Sequence, residues 1–280
     1  MPATVSSTSP SARQLLLRLL LAADGGALDA AAAIRAGALF GISTNSMRVA
    51  LTRLQASGRI ENVERGSYRL GRATRALGND VASWRERGER AERGERRDAE
   101  QRLRPWQGDW IAVSVSSMSR GDRSAARNRA RAFALLGMRA LDDGLFIRPD
   151  NLTGGVSLAR ARLQSLGLER DAAVFVASAF DARTETRARR LWKADKLEQG
   201  YRNGRKSLQA SLGRLPALPL ENAARESYLI GDHALRTLVF DPLLPEPLVA
   251  TAERHAFVDA MLDYDAAGQD IWRRFLALPK

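Results

Sequence analysis

The 280-residue chain contains no cysteine. Disulfides, thiolate metal sites and cysteine nucleophiles are therefore excluded, and no redox compartment can be inferred. Histidine is nearly absent: His233 and His255 are the only two, and they fall in different predicted helices, where surface or capping roles explain them better than a metal pair. Lysine is scarce, supplying four of the 44 basic residues and leaving the rest to arginine. No uninterrupted apolar run approaches the ~20 residues of a membrane span. The apolar stretch near the start carries Arg18 inside it and has no basic lead region, so it reads as an amphipathic helix behind a polar tail. A cytoplasmic protein without membrane contact is expected. With no Walker loop, no GxGxxG and no nucleophile elbow, the expectation is a protein that is not an enzyme and holds no cofactor or metal.

What is present describes a globular protein: 45% hydrophobic and 27% charged residues, on a length that accommodates two or three domains. The net charge of +12 implies attraction to a polyanion, whether nucleic acid, an anionic membrane surface or a phosphorylated metabolite. An arginine-rich composition is equally compatible with a coding bias, so the location of the charge carries more weight than its total.

Periodicity divides the chain. Ala12, Leu15, Leu16, Leu19 and Leu20 recur at helical spacing and predict a first helix ending near Gly25 and Gly26. A second helix is predicted over 28–39, stopping at Gly41, and a third over 44–56, closed by Gly58. Residues 59–63, a turn at 64–66 and residues 67–70 predict a β-hairpin. The alternating charges of 85–104 have opposite signs three and four apart, as in a solvated helical linker. The middle section predicts a strand at 109–115, a helix at 124–136, strands at 138–141 and 145–148, a helix at 156–166 and a strand at 172–177. That order, βαββαβ, is the ferredoxin-like arrangement. Beyond it the pattern is helical: one helix over 184–212, one over 220–240 and two in the last thirty residues. The proline-rich segment Asp241-Pro242-Leu243-Leu244-Pro245-Glu246-Pro247 interrupts it as a packed loop. The expected fold class is α+β multidomain: a winged helix-turn-helix at 11–75, a charged helical linker at 76–104, a ferredoxin-like domain at 105–180 and an all-α domain at 181–280.

The most specific signal lies within 28–70: helix, short turn, second helix and wing. Projected at 100° per residue, the third helix turns Met47, Ala50, Leu51 and Leu54 to one side, which must be buried. The other side then presents Asn45, Val49 and Thr52 at its centre and Arg48 and Arg53 at its margins, with Ser43 as N-cap. A major-groove reader needs this chemistry, since Asn bonds adenine bidentately, Arg bonds guanine at O6 and N7, and Val or Thr methyls meet the thymine methyl. Ser43 and Thr44 sit where backbone amides favour phosphate. In the wing, Arg65 at the tip, with Ser67 and Arg69 beside it, is placed to reach the backbone or minor groove. Residues 1–75 contain ten arginines and four acidic residues, a net of +6. Local charge thus agrees with the motif.

The stretch Ala38-Leu39-Phe40-Gly41-Ile42-Ser43 with Asn45, Arg48-Val49-Ala50-Leu51, Arg53-Leu54 and Gly58, then Glu64-Arg65-Gly66 before Tyr68-Arg69-Leu70, resembles the PaaX family of transcriptional repressors. The likeness continues in Leu103-Arg104-Pro105-Trp106 before Gly108-Asp109-Trp110. It extends through Leu145-Phe146-Ile147-Arg148-Pro149-Asp150-Asn151-Leu152 to Asp241-Pro242-Leu243-Leu244-Pro245. The resemblance implies a homodimeric repressor of aromatic-acid catabolism genes, phenylacetate-type, released from its double-stranded DNA operator by an aryl acyl-CoA such as phenylacetyl-CoA. It also implies a central domain similar to Cas2-like proteins. An acyl-CoA effector needs arginines beside an aromatic or apolar slot. Arg104, Trp106, Trp192 and Tyr201 are the candidates, with core packing the competing explanation of each aromatic.

Two rival readings stand beside this one. A Cas2-like metal-dependent nuclease would need an acidic ligand at the end of the first middle strand, which instead runs into Val115-Ser116-Ser117-Met118. Asp142 and Asp143 are explained by a turn. An effector-free nucleic-acid-binding protein would scarcely need roughly 170 further ordered residues.

Overall fold

A computed structural model of the chain describes residues 9–22, 27–71, 103–116 and 123–278. The fold mixes helices with two small antiparallel sheets. Two compact units share the chain: one takes Met1–Gly94, Ser207–His233 and Met261–Lys280, the other Glu95–Lys206 and Ala234–Ala260. The stretch 181–280, expected as a separate helical domain, is thus divided between them. Of the expected linker at 76–104, all but residues 103 and 104 lies outside the described residues.

In the first unit the elements run α1 (Ala12–Ala22), β1 (Leu28–Asp29), α2 (Ala30–Ala38), α3 (Thr44–Ala56), β2 (Ile60–Glu64) and β3 (Ser67–Leu70). The strand order is β1-β3-β2. The second helix begins two residues later than its periodicity predicts, because Leu28 and Asp29 pair with Tyr68 and Ser67. Asp29 then caps α2, its carboxylate accepting from the amides of Ala31 and Ala32. Leu15, Leu16, Leu19 and Leu20 of α1 are buried with Ala32, Ala33 and Ala36 of α2 and Met47, Leu51 and Leu54 of α3. Gly37 makes the α2–α3 approach possible: a Cβ there would lie 2.7 Å from Met47 Cγ. Gly41, at φ +70°, turns the chain between the two helices.

The same unit includes parts of three long helices, α7 (Ala194–Arg214), α8 (Leu220–Val239) and α9 (Thr251–Leu276). Phe40 packs on Tyr228, and Tyr228 meets Trp272 edge-on. Arg18 pairs with Asp232 at 3.2 Å and lies over the Tyr228 ring. Ser211 donates to Glu226 and contacts the Tyr264 hydroxyl. Burial pushes the Tyr264 phenol up to about 12.

In the second unit the order is β4 (Trp110–Ser114), α4 (Arg123–Leu135), β5 (Arg139–Asp142), β6 (Leu145–Pro149), α5 (Gly155–Ser165) and β7 (Ala173–Ala177), followed by α6 (Ala182–Arg189). The sheet is β5-β6-β4-β7, antiparallel throughout. One face, carrying Ile111 and Val113, packs on Ala132, Phe133, Ala159 and Leu163 of α4 and α5. The other, carrying Trp110, Ala112 and Ile147, packs on Ala188, Trp192, Leu244 and Val249.

Two helix expectations are corrected. The single helix predicted over 184–212 is α6 and α7 with a break between. Arg190 ends α6, and Trp192 turns inward, stacking on Trp110 at 6.0 Å and donating Nε1–H to the Gly137 carbonyl. Tertiary packing of one indole outweighs the continuous helical pattern. The two helices expected in the last thirty residues are the one helix α9. Gly268 costs such a helix only about 1 kcal/mol, and burial of Tyr264, Ile271, Trp272 and Phe275 offsets it.

Candidate nucleic-acid interface

Helix α3 separates its two faces as its sequence requires. Met47, Leu51 and Leu54 are 0%, 4% and 2% exposed, while Asn45, Arg48, Val49, Thr52 and Arg53 are exposed. The Ser43 hydroxyl accepts the Ser46 amide at 3.2 Å and donates to the Ser46 hydroxyl, which makes it the N-cap. Thr44 is exposed beside it, and no acid occupies the first turn. The N-terminal partial positive charge is thus left for an anion. Thr52 Oγ1 donates to the Arg48 carbonyl, which restrains the side chain on the exposed face. Neither Arg48 nor Arg53 has an ion-pair partner among the described residues. The stripe therefore offers two uncompensated guanidinium groups, one amide and two methyl-bearing side chains on a single surface.

The hairpin sorts its three candidates differently. Arg65 is exposed at the tip, where Gly66 at φ +83° closes the turn. Arg69 is exposed but bound to Glu61, Nε to Oε1 at 2.7 Å, so much of its charge is already answered. Ser67 is buried, 9% exposed, and sits opposite Asp29 and Glu64 in the sheet. It cannot reach a ligand, a correction to the sequence reading: pairing with β1 brings it inside, and β1 has too few residues to announce itself.

Two further exposed residues lie on the hairpin outside the sequence-predicted set. Arg59 is exposed at its base, beside buried Ile60. Val63 is 49% exposed, because the register shifts between Asn62 and Glu64 and the bulged residue turns out of the ladder. Nothing in the sequence signals that bulge.

The four effector candidates all belong to the second unit, in three separate settings. Trp106 and Trp192 each pack on Trp110. Trp106 is half-buried, donates Nε1–H to the Asp109 carbonyl and carries the Arg189 guanidinium 4.9 Å above its ring. Arg104, half exposed, is bound to the buried carboxylate of Asp150 at 2.5 Å. Tyr201 is 2% exposed, stacked on Phe257. Burial, with Asp241 beside it, raises its phenol well above the ordinary range. Trp192 and Tyr201 are core residues, which is the competing explanation stated for them above.

Behind them lies a buried polar cluster. Arg148, 2% exposed, donates to the carbonyls of Leu136, Pro149 and Pro242 and to Asn151 Oδ1. Asn151 donates in turn to the Leu243 carbonyl at 2.8 Å. Burial lowers the Arg148 guanidinium to about 10, assisted by Arg162. It also pushes the Asp241 carboxyl above its ordinary 3.8, against the pull of Arg254. Two stretches almost a hundred residues apart, Arg148-Pro149-Asp150-Asn151 and Asp241-Pro242-Leu243-Leu244, are thereby one structure.

No protein-family model and no curated protein matches the chain. Among solved structures it is similar to the uncharacterized protein Rv0674 from Mycobacterium tuberculosis, at a TM-score of 0.60 and 22% identity over 95% of this chain and 98% of that one. That likeness shows a common fold along nearly the full length.

Proposed function

We propose that the chain is a sequence-specific DNA-binding transcriptional repressor. In this reading α1-β1-α2-α3-β2-β3 is a winged helix-turn-helix, with α3 the helix that enters the major groove, and the βαββαβ unit is a ferredoxin-like core. The observation that carries the reading is the outer stripe of α3. Asn45, Arg48, Val49, Thr52 and Arg53 stand exposed on a helix whose other face is buried, and its arginines have no acidic partner among the described residues. Asn and Arg read purine edges, and the methyl groups read thymine. Arg65 and Arg59 on the hairpin are suited to phosphate contacts, which position the helix without reading sequence.

Two copies acting as a homodimer would set two α3 helices about 34 Å apart, one turn of duplex. An effector can release them only by binding one arrangement more tightly than the other. The resemblance to PaaX repressors supplies the proposed target, aromatic-acid catabolism genes, and the proposed effector, an aryl acyl-CoA. It is supported by the convergence of two of the family-like stretches in the Arg148 cluster. Arg104 and Trp106 are the effector candidates that keep exposed surface. The test is a duplex recovered by selection on the full chain, compared with random duplex in gel shifts. Arg48→Ala weakens the selected duplex by about 1–3 kcal/mol and random duplex by less. An equal loss on both, or none, overturns the assignment. A thermal-shift panel of acyl-CoAs and free aromatic acids tests the effector, since a ligand selective for the fold raises the melting temperature.

A further inference from the structure

The second unit has its own concentration of positive charge. Helix α4, RSAARNRARAFAL, holds four arginines among 13 residues and no acid. Arg129 is turned inward, its side chain 14% exposed and bound to Glu169 at 2.6 Å. Arg123, Arg127 and Arg131 are exposed, and none of them has an ion-pair partner among the described residues. They stand four apart. At 100° per residue they occupy an arc of about 80°, centred opposite the buried Ala132 and Phe133. Each step along the stripe is about 6 Å, similar to the step between successive phosphates on one nucleic-acid strand.

A solvated helix face does not look like this. Like charges four apart destabilise a helix unless acids answer them. In α6, α7 and α9 they do: Arg189 pairs with Glu185, Arg202 with Glu198 and Arg274 with Asp270. On α4 no acid among the described residues relieves the repulsion between the three heads. Asn128, also exposed, lies between Arg127 and Arg131 in the sequence, and Ser124 follows Arg123; both are side chains that hydrogen-bond phosphate. The apolar face of the helix is committed to the sheet, so no apolar surface is left for insertion into a lipid interface.

We propose that α4 is a second DNA-contact surface, gripping the sugar–phosphate backbone through Arg123, Arg127 and Arg131 without reading bases. This rests on the DNA-binding reading of the chain but uses residues of the other unit. The experiment is binding of the full chain to random duplex by fluorescence anisotropy across a salt series. Each phosphate neutralised on B-DNA adds about 0.9 to the slope of log K against log salt. The triple variant Arg123→Ala, Arg127→Ala, Arg131→Ala therefore lowers that slope by about 2–3 and weakens binding at least tenfold at low salt. The triple Arg→Lys variant keeps the slope, because it keeps the charge. An unchanged slope in the alanine variant overturns the proposal, as does a loss shared by the lysine variant, which would mark a disturbed fold. Binding to phosphatidylserine vesicles that depends on these arginines, without such dependence on duplex, also overturns it in favour of a membrane. The double variant Asn45→Ala, Arg48→Ala separates the two readings. If it loses preference for the selected duplex while the α4 variant keeps its slope, only the α4 proposal fails. If the α4 variant loses slope and the α3 variant binds like wild type, the α4 proposal stands and the α3 reading fails.

Discussion

Arginine stands in opposite settings in two regions, the outer face of α3 with its hairpin in the first unit and the buried cluster around Arg148 in the second. In the first, Arg48, Arg53 and Arg65 are exposed and have no ion-pair partner among the described residues. In the second, Arg148 and Arg254 are 2% and 4% exposed, and their donors are taken up by backbone carbonyls and Asn151. The same side chain keeps its donors free for other groups where water surrounds it and is a tether where it is buried. A net charge of +12 does not distinguish these uses. What does is whether each guanidinium still has donors to give.

The contrast can be broken most severely at Arg148. Replacing it by Met leaves the Leu136 and Pro242 carbonyls and Asn151 without their donor, and Asp241 without one of its two cations. Urea denaturation should show a loss of about 3–5 kcal/mol. If the variant unfolds like wild type, the tether reading is wrong.

Leu51→Ala tests the support beneath the exposed stripe. Removing a side chain that is 4% exposed should cost about 2–5 kcal/mol by equilibrium unfolding. It should also weaken the selected duplex, although it removes no group that touches it. A variant that unfolds early yet binds normally when folded would show that α3 needs no such backing.

Ser43→Ala removes the cap of α3. A loss of about 1 kcal/mol is expected, with no change in duplex affinity of the folded chain if the hydroxyl is committed to Ser46. An equal loss of affinity for selected and random duplex would assign the hydroxyl a phosphate contact.

The smallest effect is a pH slope. Asp241 has its carboxyl raised above 3.8 by burial, so the folded chain holds a proton that the unfolded chain has released. Above pH 3.8 its contribution to stability therefore falls as pH rises, until the carboxyl ionises in the fold as well. In Asp241→Asn that slope disappears, which melting curves between pH 4 and 7 will register. A slope identical to wild type would mean that Arg254 and Arg148 hold the carboxylate ionised.

Legibility from sequence follows how local each feature is. The bounds of α3 and the split between its faces were readable from Ser43, the 3.6-residue spacing of Met47, Leu51 and Leu54, and Gly58. The βαββαβ order was readable because turns and apolar runs punctuate it. Two-residue β1 was not, since its only reason to be a strand is pairing with Tyr68 and Ser67. With it went the burial of Ser67. The break after α6 was equally hidden, because the inward turn of Trp192 depends on a carbonyl 55 residues away. In the candidate interface, the exposure of Arg59 and the bulge at Val63 were not legible, nor was the ion pair that binds Arg69 to Glu61.

The sequence by itself determined the helix periods, the turn positions and which face of α3 must be buried, because each depends on residues within a few positions of one another. Only the tertiary structure decided which arginines are spent and which are available. A charge is answered by whatever side chain or carbonyl the fold brings beside it, and for Arg148 those partners lie as far away as Pro242.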